Sequence, residues 1–173
     1  MSISFYDVSV VNFLQILGAV DGFLEKGRAH LTENGVDLQE VVSTRLYEDM
    51  LPFQFQVISV AHHSMGSIRG VEAGEFSPPD GYGDPDYEGL QHLIKEAKAA
   101  VESYSREMVE SFAGKAVTFK LGGSELPFTA GNFVMSFSLP NVFFHAATTY
   151  DILRMKGVPV GKRDFMGQLR MGN

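Results

Sequence analysis

Ser138-Leu139-Pro140-Asn141-Val142-Phe143-Phe144-His145-Ala146-Ala147-Thr148-Thr149-Tyr150-Asp151-Ile152-Leu153-Arg154 is the stretch from which the fold is read. Its apolar positions extend a helical pattern over about 131–156, and Gly157 stands where a left-handed residue commonly ends a helix. Pro140 interrupts that pattern. It has no N–H, and its ring crowds the carbonyl of Ser136, so the helix must bend or restart there. The freed carbonyl then needs another donor. Asn141 and His145 lie one turn apart beside the bend, with Tyr150 and Gln56 as candidate neighbours. Two readings stay open. One is a small-ligand pocket lined by Asn141, His145, Tyr150 and Gln56. The other is a packing device that fits the helix around its neighbours, the more general cause of a kink. The aromatic set Phe133, Phe137, Phe143, Phe144 and Tyr150 reads as core or dimer interface, because large rings dominate burial in both settings.

Upstream, residues 6–30 form an amphipathic pattern with Val10, Phe13, Leu14, Leu17, Val20 and Leu24 on one face. Asn34-Gly35 closes it, and Asp37 caps a short turn through Val42. Pro52 suits the start of a second helix over about 52–70, with Phe53, Val57, Val60, Ser64 and Ile68 as its stripe and Gln56 and His63 at the border. Residues 71–86 hold three prolines and three glycines and read as a crossover loop. Asp86 is an N-cap for a third helix over about 87–110, whose stripe runs Leu90, Leu93, Ile94, Ala97, Val101, Tyr104 and Met108. Val117, Phe119 and Leu121 alternate with polar residues, and Gly122-Gly123 follows, so 117–128 is a hairpin. Beyond the fourth helix, Lys162-Arg163-Asp164 reads as a surface ion pair or tail anchor with Phe165 packed below, or as an anion contact.

The 173 residues suit one domain over 1–173 with a sizeable core. There is no cysteine, which excludes disulfides, thiolate metal sites and a thiol nucleophile. The formal charge of −7 argues against a general nucleic-acid surface. The first residues lack a basic stretch followed by a long apolar run, and Asn12 and Gln15 interrupt the most apolar part of the first helix. The expectation is a cytoplasmic protein without a membrane span. No H-E-x-x-H, Walker loop, G-x-S-x-G or dinucleotide fingerprint is present, nor the E-x-x-H pairs of a di-iron bundle.

Ser138 to Arg154, with its LPN-x-F-F-H-x-x-T-x-Y-x-I-L-R pattern, is joined by Gly161-Lys162-Arg163-Asp164-Phe165, by Arg45-Leu46, by Asp49-Met50-Leu51-Pro52 and by Gln56-Val57. Together these resemble a branch of the DinB/YfiT-like superfamily of uncharacterised function, over nearly the whole chain from Tyr6-Asp7 to Phe165. The resemblance implies an all-α, up-down-down-up four-helix bundle, here with a small β-hairpin between the third and fourth helices, and a homodimer. It also implies a metalloenzyme-like fold, some of whose members are thiol-dependent transferases or isomerases.

In that superfamily a divalent metal is typically held by one histidine of the second helix and two of the last at i, i+4 spacing. The five histidines here are His30, His62, His63, His92 and His145, and no two are four apart. His145 matches the first of the helical pair, but Thr149 stands where the second is expected. Ser136 stands where some relatives carry histidine. A reduced site remains: His62 or His63 with His145, completed by Asp49 or water, for zinc or nickel. The alternative is a buried His145 hydrogen-bonded inside the bundle. Two functions follow. The first is a homodimeric binding or structural bundle with an incomplete metal site and a small-molecule pocket. The second is a divalent-metal-dependent transferase for a small, thiol-type substrate.

Overall fold

Local capping chemistry sets several element boundaries in the computed structural model, which describes residues 3–171. The sequence readings for the extreme ends, at 1–2 and 172–173, lie outside the described residues. Ser4 and Asp7 form a reciprocal capping box that opens α1, Phe5–Val8. The single helix expected over 6–30 is then broken. Ser9 leaves helical geometry and its hydroxyl donates to the Phe5 carbonyl at 2.6 Å, a local bond that competes with the helix ladder. Helix α2 follows, Val10–Glu33. Its buried face is wider than the single stripe expected, since Ile16, Ala19 and Phe23 join Val10, Phe13, Leu17, Val20 and Leu24, while Leu14 is only half-buried.

Asp37 accepts from the Gln39 N–H and starts α3, Leu38–Ser43. Pro52 precedes one long helical stretch in three parts: α4, Phe53–Ala61; a π-helical segment, His62–Gly66; and α5, Ser67–Ala73. Gly74, at φ +82°, ends it. The 71–86 stretch expected to be irregular contains strand β1, Glu75–Phe76. Asp86 caps α6, Tyr87–Glu102, by accepting from the Gly89 N–H at 2.8 Å. The third helix ends earlier than expected, because Ser105 caps a separate short helix, α7, Arg106–Glu110, and Met108 is left exposed.

Strands β2, Ala116–Leu121, and β3, Ser124–Thr129, form the expected hairpin. Gly122 and Gly123 both take positive φ, which matches the turn to the strand twist. Strand β1 adds in parallel to β2 with Phe76 opposite Phe119, so the hairpin grows into a three-stranded sheet. The fourth helical stretch is again in three parts: α8, Ala130–Phe133; a second π-helical segment, Val134–Ser138; and α9, Leu139–Met155. The π turn is how the chain accommodates Pro140. The Leu139 N–H bonds the Val134 carbonyl, five residues back, and Pro140 falls in the first turn of the new α-helix. At the other end the Gly157 N–H bonds Arg154 O and the Val158 N–H bonds Leu153 O, a Schellman closure with Gly157 at φ +86°. Helix α10, Lys162–Met166, follows in a region without clear periodicity.

Helix α2 packs on α6 and α9, and α4 packs on α9 and α6, so the four long helical stretches share one core. The result is a mostly helical fold with a small sheet at one side. By length and mean hydropathy, 1.4, the span Phe5–Glu33 reaches what a membrane-crossing helix needs, although polar Asn12 and Gln15 lie within it. Half of that window is buried inside the fold, where its apolar face packs as a core helix does.

Candidate functional site

The two π-helical segments face each other. His63 of the first lies edge-on to Phe137 of the second, with ring centroids 5.5 Å apart. The Ser67 hydroxyl, just after the first segment, donates to the Ser138 hydroxyl that ends the second, and both serines are fully buried. Phe76, Phe119, Phe133 and Phe137 form a contiguous ring cluster that joins this level of the helices to the sheet. π segments are rare and frequent at functional sites, so this level of the bundle is where a site is sought.

His63 and His145 meet here, with centroids 5.8 Å apart and ring planes 11° apart. Gln56 ties His145 to α4. Its side-chain N–H donates to the Leu51 carbonyl at 2.8 Å, which turns its Oε1 toward His145 Nδ1, also at 2.8 Å. With that amide orientation the His145 proton sits on Nδ1, and Nε2 keeps its lone pair. His63 has a buried Nδ1 with no hydrogen-bond partner. Burial first, then the neighbouring imidazoles, pushes the His63 pKa down to about 3. Burial pushes that of His145 down to about 4. Both rings are therefore neutral at physiological pH.

His62 has a different role. Its Nε2–H donates to Ser77 O at 2.8 Å, and the Tyr82 hydroxyl donates to Nδ1 at 3.3 Å. Both nitrogens hold the 77–82 loop against the helix, and neither is available to a metal. A cavity of roughly 280 Å³ lies beside this residue, with Arg69, Phe76 and Lys120 also in its wall, but neither His63 nor His145 lines it.

Thr149 is fully buried and its hydroxyl donates to the His145 carbonyl at 2.8 Å. The position where the resemblance implies a ligand histidine is thus filled by a side chain bonded into its own helix. Ser136 does the same with Asn132 O. Asp49 is exposed in the turn before α4. Among the described residues no three His, Asp or Glu side chains come together as a metal cluster. The donor set, two imidazoles and no third ligand, does not fit a three-histidine centre.

The pocket residues separate. Gln56 and His145 are bonded. Asn141 donates to Phe137 O at 2.7 Å and stitches the helix across the π segment. Tyr150 is five residues from His145, about 140° around a helix, and so faces the other flank. There it meets Phe23 and Phe165 edge-on at 6.2 and 5.9 Å. Of the basic run, Lys162 and Arg163 are exposed, and it is Asp164 that pairs with Lys26 while Phe165 packs below. Both cluster residues that periodicity placed at a border, Gln56 and His63, are buried, Gln56 within α4 and His63 within the π segment that follows it.

A family model described as a domain of unknown function, DUF1993, matches residues 5–166. The chain belongs to the DUF1993 family. A DinB family member protein from Shewanella denitrificans has a crystal structure similar to this DUF1993 chain, with TM-score 0.80 and 24% identity over 97% of this chain and 94% of that one. That likeness gives this DUF1993 chain a DinB-like helical fold. No curated protein matches it.

Proposed function

We propose that this DUF1993 protein is a cytoplasmic, homodimeric binding bundle of up-down-down-up path that lacks a resident metal. The observation that carries the reading is Thr149, buried and bonded to the His145 carbonyl where a third imidazole would stand. In place of a metal centre, the His63–His145–Gln56 cluster is a neutral polar island in an aromatic core. Its free acceptor, His145 Nε2, is on a half-buried residue and is suited to a hydrogen-bond donor on a small ligand. The dimer reading is supported by Met135, Phe144 and Met155, three large apolar side chains left exposed on the fourth helical stretch.

One observation favours the second reading, a divalent-metal-dependent transferase acting on a small thiol-type substrate: His63 Nδ1 is buried without a partner, an arrangement that costs about 1–3 kcal/mol unless something binds it. Metal analysis separates the two. Protein purified without a polyhistidine tag is expected to carry no stoichiometric zinc or nickel and to gain no thermal stability from either ion, since a ligand that binds only the native state must stabilise it. A stoichiometric metal that disappears in His145→Ala would overturn the first reading. Light scattering of the same sample is expected to give twice the 19.0 kDa chain mass. A monomer that persists at micromolar concentration would remove the dimer.

A further inference from the structure

The last described residues cross the start of α2 and are held there at three points. Gln15 donates to Met166 O at 2.9 Å. Gly167, at φ +62°, passes so close that a Cβ would lie 3.1 Å from Ala19 Cβ and 3.2 Å from Gln15 O. Arg170 donates to Asn12 Oδ1 at 2.8 Å. The crossing borders a half-open cavity of roughly 230 Å³ between α2, α9 and α10. Its apolar wall is Ile16, Phe143, Phe165 and Met166, and Arg170 stands at its edge.

Two properties of this cavity point to one ligand class. Its polar amides are already committed: Asn12 donates to Val8 O and accepts from Arg170, and Gln15 holds the tail. The Arg170 guanidinium has five donors, and among the described residues its partner is a neutral amide oxygen, with no carboxylate in ion-pair contact. The complement is an apolar body with one anionic, fork-accepting group. The volume is below the ~300–1,000 Å³ of drug-sized sites, so the body is a single ring or a short branched chain. Phe143, 43% exposed, is explained by the same geometry: it forms one side of the cavity rather than part of the core.

We propose that this cavity binds a small aromatic or branched carboxylate, its apolar body between Ile16, Phe143 and Phe165 and its carboxylate on the Arg170 guanidinium. The site is separate from the His63–His145 cluster, which lies on the opposite flank of α9, and does not depend on how that cluster functions.

Benzoate and the neutral isostere benzamide are the probes, titrated into the full-length protein by amide NMR and calorimetry. Benzoate is expected to bind at least about tenfold more tightly than benzamide, with perturbed amides confined to the start of α2, α10 and the tail. Arg170→Gln is expected to abolish the preference while leaving benzamide binding in place. Phe143→Ala, at an exposed position where folding tolerates truncation, is expected to weaken both probes about fivefold or more. The proposal fails if benzoate shows no saturable binding up to about 10 mM, a bound set by the weak affinity of so small a ligand. It fails equally if Arg170→Gln retains the preference, or if the perturbed amides lie elsewhere.

Discussion

Lowering the pH from 7 to 5 is expected to cost the fold about 4 kcal/mol, read as the difference between two chemical-denaturation curves. His63 titrates at about 3 and His145 at about 4 in the native state, against 6.5 for an unperturbed imidazole. Depressed histidine values mean that the native state holds fewer protons than the unfolded chain at every pH between the two values. Stability is therefore full above about 6.5 and falls as acid is added, by up to ~1.4 kcal/mol per pH unit for each ring. Two rings over the 1.5 units from 6.5 to 5 give the ~4 kcal/mol, a large part of the 5–15 kcal/mol that holds a typical domain together. His62 is displaced in the same direction by burial, opposed by its bond to Ser77 O. No carboxylate hydrogen-bonds to His63 or His145 among the described residues to offset this. His63→Phe, which keeps an aromatic ring among Phe76 and Phe137 and removes the orphaned Nδ1, is expected to halve the slope and leave stability at pH 7 unchanged or raised. Equal stability at pH 7 and 5 in the unsubstituted protein would overturn the neutral-pair assignment. A separate acid window lies lower. Asp7, held to about 2 by the Arg106 guanidinium and by Ser4, gives up its contribution only below its ordinary value of 3.8.

Gly27→Ala is expected to lower stability by about 3 kcal/mol, although alanine is the better helix former by ~1 kcal/mol. A Cβ at Gly27 would stand 2.6 Å from the Tyr87 hydroxyl and 3.1 Å from Leu153 Cδ2. Tyr87 cannot move aside freely. Its hydroxyl donates to Leu24 O at 2.9 Å, and its ring stacks on Phe53 at 5.7 Å. Burial with Glu25 nearby keeps that hydroxyl protonated far above its usual range. Overpacking costs ~1–3 kcal/mol, and a buried hydroxyl stripped of its acceptor costs ~1–3 more. In a chain of this size that corresponds to a melting temperature lower by roughly 6–12 °C. Gly22, exposed on the same helix with nothing within 4 Å of a built Cβ, is the internal control. Gly22→Ala is expected to stabilise by ~0.5–1 kcal/mol. Equal effects at the two glycines would mean that α2 and α6 do not approach through Gly27.

The helices, the hairpin and the caps at Asp37, Asp86 and Gly157 were legible in the sequence because each follows from a local rule of spacing or capping chemistry. The breaks at Ser9 and Ser105 were not, because a serine hydroxyl bonds the backbone inside a helix as readily as at its end. Strand β1 was hidden because two residues, Glu75–Phe76, are too short to show alternation, and their strand character comes from pairing with β2. At the candidate site, the bond between Gln56 and His145 joins residues 89 apart, and only helix packing brings them together. Tyr150 shared a motif with His145 and was grouped with it, yet helical geometry puts the two on different flanks. The absence of an i, i+4 histidine pair was visible from the start. What Thr149 does instead, donating to the carbonyl of His145, shows only in the folded chain.

The facing π segments also bear on how relatives of this chain should be aligned. A π turn holds one residue more than the α turns around it, so each segment acts as a single-residue insertion with no loop to reveal it. A relative whose second or fourth helix is plain α would match this chain's faces only with a one-residue gap inside the helix, near 62–66 or 134–138. Without that gap, the column opposite His63 or Thr149 would be filled by a residue about 100° away around the helix, and a ligand histidine would be scored as lost or gained where none had changed.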